Sequence, residues 1–490
     1  MDDVGCTMWD VKRMTLNIRT IDHANRGTFE QGNKKIAKRR RHLNTITIQK
    51  MLHPITAWLS KRNSIIQTIY ISLIAFLTYA CMYGIRKPFT VGSFEGFTWG
   101  GMDYKALLII SQVIGYALSK FIGIKVISEM GRNSRAFSII ILTGIAEVAL
   151  MLFSIVPEPY SIILLFFNGL PLGMIWGLVF AYLEGRRTTE ILGTVLSISF
   201  IVSSGFVKSV GKILSSTFHL TDFQMPWVTG MVFFIPLVLL VWLLDKSPEP
   251  TAEDEAMRTK RVPMDKNQRK KIFLQFAPGL IIFTIAYMLL TIFRDLRDNF
   301  AAEIWNEIGV GGNSMIFTWS ELPIALIVFI VMGSLMLIKD NRKALRLNTY
   351  IILSGFLVIG LSTLALNTGL INPVAWMILL GLGTYLGYLP FNCLLFDRMI
   401  AAFGSAANAG FFIYIADSFG YLGSVGALLF KNFNNKELSW FNFLITTSYG
   451  LALTGSLLTI LTVWYFRLKF PIRPKDQLTI VNTTLNTITT

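Results

Sequence analysis

Residues 65–88 read IIQTIYISLIAFLTYACMYGIRKP, and no charged side chain occurs before Arg86. That is the length a helix needs to cross a hydrocarbon core of about 30 Å, and it is too long for the apolar region of a cleavable signal peptide. Strands of a membrane barrel would instead read as runs of about 10 residues of alternating polarity, and no such run is found in the sequence. The few polar side chains are ordered: Tyr79, Tyr83 and Arg86 are spaced by four and three, which puts them on one helix face. A second stretch, KIFLQFAPGLIIFTIAYMLLTIFRDL at 271–296, carries Tyr287, Thr291 and Arg294, again with a tyrosine seven residues before an arginine. Two similar faces half a chain apart predict an internal repeat around a central site.

Outward from these two stretches, the remaining apolar sequence falls into runs of similar length. The spans are read at 65–88, 104–127, 136–156, 160–183, 190–215, 226–244, 271–296, 314–338, 347–369, 373–396, 405–430 and 441–466. Of the 490 residues, 53% are hydrophobic and 15% charged, and the mean hydropathy is +0.55. A soluble domain of this size needs a more charged surface, whereas a bilayer accepts an apolar exterior. Thirty-seven Phe, 38 Gly and 19 Met suit helices packed closely against one another and against lipid. Cys6, Cys81 and Cys393 show no disulfide or metal-ligand spacing, so neither a disulfide scaffold nor a metal site is expected.

The longest hydrophilic interruption, 245–271, contains Pro248-Glu249-Pro250 and then a dense charge run, which is linker chemistry. The expected organisation is a basic tail (1–64), a first six-helix bundle (65–244), a charged linker (245–270), a second bundle (271–469) and a C-terminal tail (470–490). Lys and Arg collect in the tail (Lys38-Arg39-Arg40-Arg41), at 125–135, at Arg186-Arg187, in the linker, at 339–346 and at 467–475, all on one side of twelve spans. The positive-inside rule then makes both termini cytoplasmic, with the chain in the inner (plasma) membrane. A net charge of +16 held beside membrane spans is explained by topology, not by a nucleic-acid partner. The tail is read as a solvated orientation signal, and Met51 just before the first span is an alternative candidate start.

Charges inside spans are costly and normally face a partner, the bundle interior or water. Arg86 and Arg294 facing one cavity suit a phosphate or carboxylate, because each guanidinium offers two parallel charge-assisted hydrogen bonds. Snorkelling to headgroups is the plainer reading, and it fits Lys87 and Arg297 better than these two. Lys120, Lys208, Glu321 and Asp417 are two cations and two anions deep in spans two, five, eight and eleven. Where helix two faces helix eleven and helix five faces helix eight, Lys120–Asp417 and Lys208–Glu321 are the expected pairs, and their making and breaking would gate access. Lys120 has a competing use as a substrate contact that leaves Asp417 for a proton or counter-cation. Glu147 is read either as a coupling carboxylate or as a neutral acid or interhelical hydrogen bond. Trp176, Asn392 and Asn408 are candidates for stacking or hydrogen bonding to a substrate, or for packing alone.

From about Ile65 to Lys469 the chain resembles the organophosphate:phosphate antiporter branch of the major facilitator superfamily, which includes glycerol phosphate and hexose phosphate carriers. Arg86-Lys87-Pro88-Phe89 is similar to that branch's Arg-Lys-x-Phe, and Ser119-Lys120-Phe121-Ile122 to its Ser-Lys-Phe. The stretch from Tyr287 to Arg294 resembles its seventh helix, and Gly410-Phe411 with Gly420-Tyr421-Leu422-Gly423 its eleventh. The resemblance implies an all-α membrane protein of major facilitator type, with twelve transmembrane helices in two pseudo-symmetric six-helix bundles. It also implies phosphate contacts for Arg86 and Arg294 and a cavity position for Lys120. The branch's Asp-Arg loop after span two is replaced by residues 125–132 followed by Arg135, so that Glu129 and Arg132 stand in the gating-loop positions. Span seven ends in Arg294-Asp295-Leu296-Arg297-Asp298-Asn299, which is more charged than in the characterised carriers and marks a divergent subgroup.

The expected function is secondary transport of a small anionic solute, an organophosphate exchanged for inorganic phosphate, by a rocker-switch monomer in the lipid bilayer. Arg86, Lys120, Arg294, Tyr79, Tyr83 and Tyr287 would bind substrate, and Asp417, Glu321, Lys208, Glu129 and Arg132 would couple or gate. No Gly-rich ATP-binding loop appears, and no cofactor or enzyme constellation is read from the sequence. The alternatives are a proton-coupled organic anion symporter using Asp417 or Glu321, and a transporter-derived membrane sensor.

Overall fold

The computed structural model describes residues 54–251, 254, 266–403, 409–434 and 438–469, with 124–125, 128–129, 266–273, 275–276, 409–411 and 414 described by their backbone alone. Cys6, the basic run at 38–41, Met51, Asn408, most of the linker and the tail 470–490 lie outside the described residues, as does the Glu129 side chain. Two compact units are distinguished. In the smaller, the helix Pro54–Ser60 is tied to the linker where the Thr56 hydroxyl donates to the Lys246 carbonyl at 2.8 Å. The larger, from Ser64 to Asp245 and from Glu249 onward, contains the spans.

These spans are α1 (Ser64–Arg86), α2 (Tyr104–Glu129), α3 (Arg132–Phe153), α4 (Ile162–Leu183), α5 (Thr189–Phe218) and α6 (Met225–Asp245) in the first half. The second half has α7 (Lys266–Asn299), α8 (Ile316–Met336), α9 (Asn341–Asn367), α10 (Pro373–Cys393), α11 (Ala409–Asn434) and α12 (Trp440–Lys469). Among the described residues eleven helices are long and apolar enough to cross a membrane. The twelfth, α11, has 26 residues and buries the polar side chains Asp417, Tyr421 and Ser424. Large apolar side chains such as Ile235 (70% exposed) and Leu361 (64%) point outward while Asn168, Lys208 and Thr384 are buried. That inverts the pattern of a soluble protein and matches a lipid surround.

Local chemistry sets the ends. Proline has no N–H and disfavours helix in the residue before it, so α1 stops at Arg86, two residues short of Pro88, and a 3-10 turn Pro88–Val91 follows. α4 carries Pro171 and breaks into Ile162–Leu172 and Ile175–Leu183. Asp340 caps α9 by accepting from the Arg342 and Lys343 amides, and Asn372 caps α10 by accepting from the Ala375 amide at 2.8 Å. A two-stranded hairpin, Thr98–Trp99 with Met102–Asp103, links α1 to α2, its turn supplied by Gly100 and Gly101 at φ 60° and 76°.

Packing repeats between the halves: α1 lies on α5 and α6 as α7 lies on α11 and α12. The halves meet along two seams, α2 with α11 and α5 with α8. Small residues make the second seam close: a Cβ placed on Gly205 of α5 would stand 2.2 Å from the Phe317 carbonyl oxygen of α8. The Thr318 hydroxyl, at 2.7 Å from that of Ser209, continues the same seam.

Candidate functional site

Between the halves lies a cavity of about 1390 Å³. At one end it is bounded by Lys87 and Asp298, and at the other it reaches Arg135, Glu184, Glu190 and Asp397, on the side of the basic loops. Arg86 enters this space from the last turn of α1. The carbonyls that helix end leaves free are taken up by neighbours: Gln112 of α2 donates to the Arg86 carbonyl at 2.9 Å, and Asn168 of α4 to the Ile85 carbonyl at 3.1 Å. A further bond from Gln112 to Asn168 at 2.7 Å closes the brace.

The Arg86 guanidinium lies over the Tyr116 ring at 3.8 Å and near that of Tyr83 at 5.8 Å. Its Nε is buried without a hydrogen-bond partner, and no carboxylate pairs with it among the described residues. Two other cavity cations, Lys120 and Arg294, are compensated by carboxylates, whereas Arg135 at the basic-loop end donates to the Ala181 carbonyl at 2.9 Å and has no carboxylate partner among the described residues. Lys120 is 2.7 Å from Asp417 across the α2–α11 seam. Arg294 bonds the neighbouring Asp295 at 2.7 and 3.1 Å and lies 4.3 Å over the Tyr388 ring. Asp295 is held in turn by the Ser424 hydroxyl of α11 at 2.7 Å.

Tyr79 and Tyr83 line the cavity, with Tyr79 packed on Phe200 at 5.3 Å. Tyr287 does not line it; its hydroxyl donates to Asp417 from behind and meets the Tyr388 hydroxyl at 2.8 Å, so it positions Asp417. Asn392 lines the cavity beside this network, with its amide 3.3 Å from the Tyr287 hydroxyl. Trp176 also lines it, stacked on Phe180 at 4.9 Å, with its indole N–H buried and unpartnered among the described residues.

The expected Lys208–Glu321 pair does not form. Lys208 bonds both the carboxylate and the backbone carbonyl of Asp298, each at 2.5 Å, while Glu321 pairs with Arg297 at 2.8 Å. The seam α5–α8 is there, but the charged end of α7 inserts beside it and supplies the nearer partner to each. Lys87 and Arg297 do not snorkel: they are 5% and 4% exposed, with Lys87 on Asp298 at 2.5 Å and Asn299 at 2.7 Å. Neither Lys208 nor Glu321 lines the main cavity; with Arg297 and Asp298 they border a void of about 10 Å³, room for at most one water.

Arg132 stands away from the cavity, 3.5 Å from the Asp245 carbonyl and 3.9 Å from Glu249, and Arg135 is the loop cation that lines it. Glu147 is buried against Gly230 of α6, where a Cβ would lie 2.0 Å from its Oε2, and neither of its oxygens has a hydrogen-bond partner among the described residues. Of the alternatives read for Glu147, the interhelical hydrogen bond is thus not found among the described residues.

Sequence reasoning missed Tyr116, Tyr388, Asp295 and Asp298. A signal was present: Gln112, Tyr116 and Lys120 recur every fourth residue of α2, and Asp417, Tyr421 and Ser424 follow at four and three in α11. Read singly, as charges within spans, Lys120 and Asp417 reveal neither stripe.

The solved structures that share this architecture include the nucleoside transporter NupG, at 17% identity and a TM-score of 0.54 over 82% of this chain and 99% of that one. A D-xylose-proton symporter gives 14% and 0.56, over 80% and 97% of the two chains. A bacterial homologue of the human drug peptide transporters gives 14% and 0.55, over 82% and 98%. At such identities the likeness establishes the fold, an all-α membrane protein of major facilitator type. No curated protein matches the chain in sequence. One family model does, over residues 88–469, from the turn after Arg86 to the end of α12, and on that match the chain belongs to DUF5690, a family of unknown function.

Proposed function

We propose that the protein is a secondary transporter of a small organic anion, an organophosphate exchanged for inorganic phosphate, that works by alternating access with both termini cytoplasmic. The observation that carries this reading is the state of Arg86: a buried cation on the cavity wall, braced by Gln112 and Asn168, without a carboxylate partner among the described residues. Lys120 and Arg294 are neutralised by Asp417 and Asp295, which leaves the charge of Arg86 for a substrate in the middle of the cavity, with Arg135 the cation without a carboxylate partner among the described residues at its basic-loop end. An entering phosphate group can take two parallel bonds from Arg86 and compete with Asp417 for Lys120. The fold neighbours, whose names describe carriers of a nucleoside, D-xylose and peptides, support transport without indicating this substrate.

Proton-coupled symport is the second reading, favoured by the Asp417 network. Asp417 is 4% exposed and receives both Lys120 and the Tyr287 hydroxyl. An anion that draws Lys120 away removes the cation facing Asp417, the carboxylate that this reading uses for coupling. Proteoliposomes loaded with phosphate and given labelled phosphate distinguish the two. Trans-stimulated exchange without proton flux is expected, as is its reduction by roughly 10- to 100-fold in Arg86→Ala, the value of a charge-assisted hydrogen bond. Stabilisation of the purified protein by neutral sugars but not by anions would overturn the anion site.

A further inference from the structure

The end of the cavity opposite the basic loops is sealed by charge that is unevenly divided. Three lysines come from the first half: Lys87 after α1, Lys105 in α2 and Lys208 in α5, which are 5%, 3% and 2% exposed. Both of their carboxylate partners come from the second half. Lys87 and Lys208 each stand 2.5 Å from a different oxygen of Asp298, and Lys105 stands 2.5 Å from Glu303. Arg297 adds no compensation, since its partner Glu321 belongs to its own half. Asp222, a carboxylate of the first half, accepts from the Phe94 amide at 2.8 Å.

Asp298 thus sits in a two-lysine cradle as a resident oxyanion, one oxygen to each ammonium, with the Ser204 hydroxyl donating to Oδ1 at 2.5 Å. Parting of the halves on this side withdraws Asp298 and Glu303 together and leaves the cradle whole on α1 and α5. Three buried ammonium groups without a carboxylate, of which Lys105 keeps only its bond to the Thr90 carbonyl at 2.7 Å, are unfavourable in a low-dielectric wall, and a soluble oxyanion restores their charge-assisted bonds.

We propose that Lys87 and Lys208, with Lys105 beside them, form a second anion-binding site that exists only when the mouth opposite the basic loops is open. A soluble oxyanion of the size of phosphate replaces Asp298 there and stabilises the open mouth. The site rests on the alternating-access reading above, but not on Arg86. Because the lysines lie on the faces between the halves and not on the lipid-facing surface, the ligand is a solute and not a headgroup.

Thr90, 1% exposed and on the same turn as Lys87, is a reporter of this mouth. Thr90→Cys in the full chain with Cys6, Cys81 and Cys393 each replaced by Ser, reconstituted in phosphatidylcholine liposomes, is labelled with a membrane-impermeant maleimide in chloride or in phosphate of equal ionic strength. Phosphate is expected to raise the labelling rate at least about threefold, and to do so also in an Arg86→Ala background, where the central site is lost. Asp298→Asn labels fast without phosphate, and Lys208→Gln, in which Lys87 still neutralises Asp298 and the fold is kept, loses the phosphate response. A response unchanged in Lys208→Gln, or lost with Arg86→Ala, overturns the second site and leaves the transporter reading intact. So does a response that follows added phosphatidylglycerol in place of soluble phosphate. A Cys at this position that never labels, even with Asp298→Asn, overturns alternating access itself.

Discussion

Lys120 is held between two claims, the Asp417 carboxylate at 2.7 Å and the cavity whose wall it forms. Breaking a buried pair by reversing one member leaves two like charges facing each other, a cost of about 3–5 kcal/mol. Lys120→Asp and Asp417→Lys are therefore each expected to lower the melting temperature of the detergent-solubilised protein strongly. The double exchange should recover most of that loss, yet phosphate exchange should stay low, because the cation then stands on α11 and a carboxylate faces the substrate. A double variant no more stable than the singles would show that the pair does not hold the seam. This contact was legible in the sequence because Lys120 and Asp417 stand in spans whose other residues offer few rivals. Lys208 was misassigned for the opposite reason. Both Asp298 and Glu321 were within reach by topology, and depth along a helix decided between them, which residue order does not encode.

At the level of elements, the closeness of α5 and α8 depends on one absent methyl group. A Cβ on Gly205 would meet the Phe317 carbonyl oxygen at 2.2 Å and the Glu321 side chain at 2.9 Å, and the first of these is backbone that cannot rotate away. Gly205→Ala is expected to cost about 1–3 kcal/mol, read as a lower melting temperature. Gly426→Ala on α11, where nothing lies within 4 Å, should be neutral or stabilise by about 0.5–1 kcal/mol through helix propensity. Equal effects from the two would remove the close seam as a determinant. Hydropathy located these helices well, since lipid forces the apolar runs to be long and continuous. Their ends were less accessible: Pro88 shortened α1, and α5 at 30 residues outran the apolar run at 190–215, ending in the exposed Ser216, Thr217 and Phe218. The charged end of α7 reads as interfacial by composition and is buried, because Asp298 finds its partners Lys87 and Lys208 in the other half of the chain while Arg297 and Asp295 find Glu321 and Ser424 in their own.

On the scale of the whole molecule, the two ends of the cavity are unequal. Toward the basic loops the halves touch through Arg398 and Glu190 at 3.1 Å, a pair whose glutamate is 47% exposed and which contributes little. The opposite end is shut by buried pairs. The chain as described is thus open toward the basic loops, and Cys393, which lines the cavity, reports it. In a Cys6→Ser background, Cys393 is expected to react with a soluble maleimide while Cys81, 7% exposed, reacts slowly. Saturating phosphate should slow the Cys393 reaction several-fold, as read by intact-mass spectrometry; labelling indifferent to every anion would place the substrate elsewhere. The two-bundle plan and its inward-facing arginines were legible from the repeat of α1 in α7. Which state the bundles adopt was not, because the same residues form both.

The lysines on one half and the carboxylates on the other also make the two lips of the sealed mouth behave like oppositely charged plates once they separate. Across a gap of several ångströms of water they still attract, over a screening length of about 8 Å at physiological ionic strength. Closure is then drawn by a long-range pull before any contact forms, so the mouth shuts faster in dilute solution than in brine. A bound oxyanion discharges the positive plate and lets the open state linger.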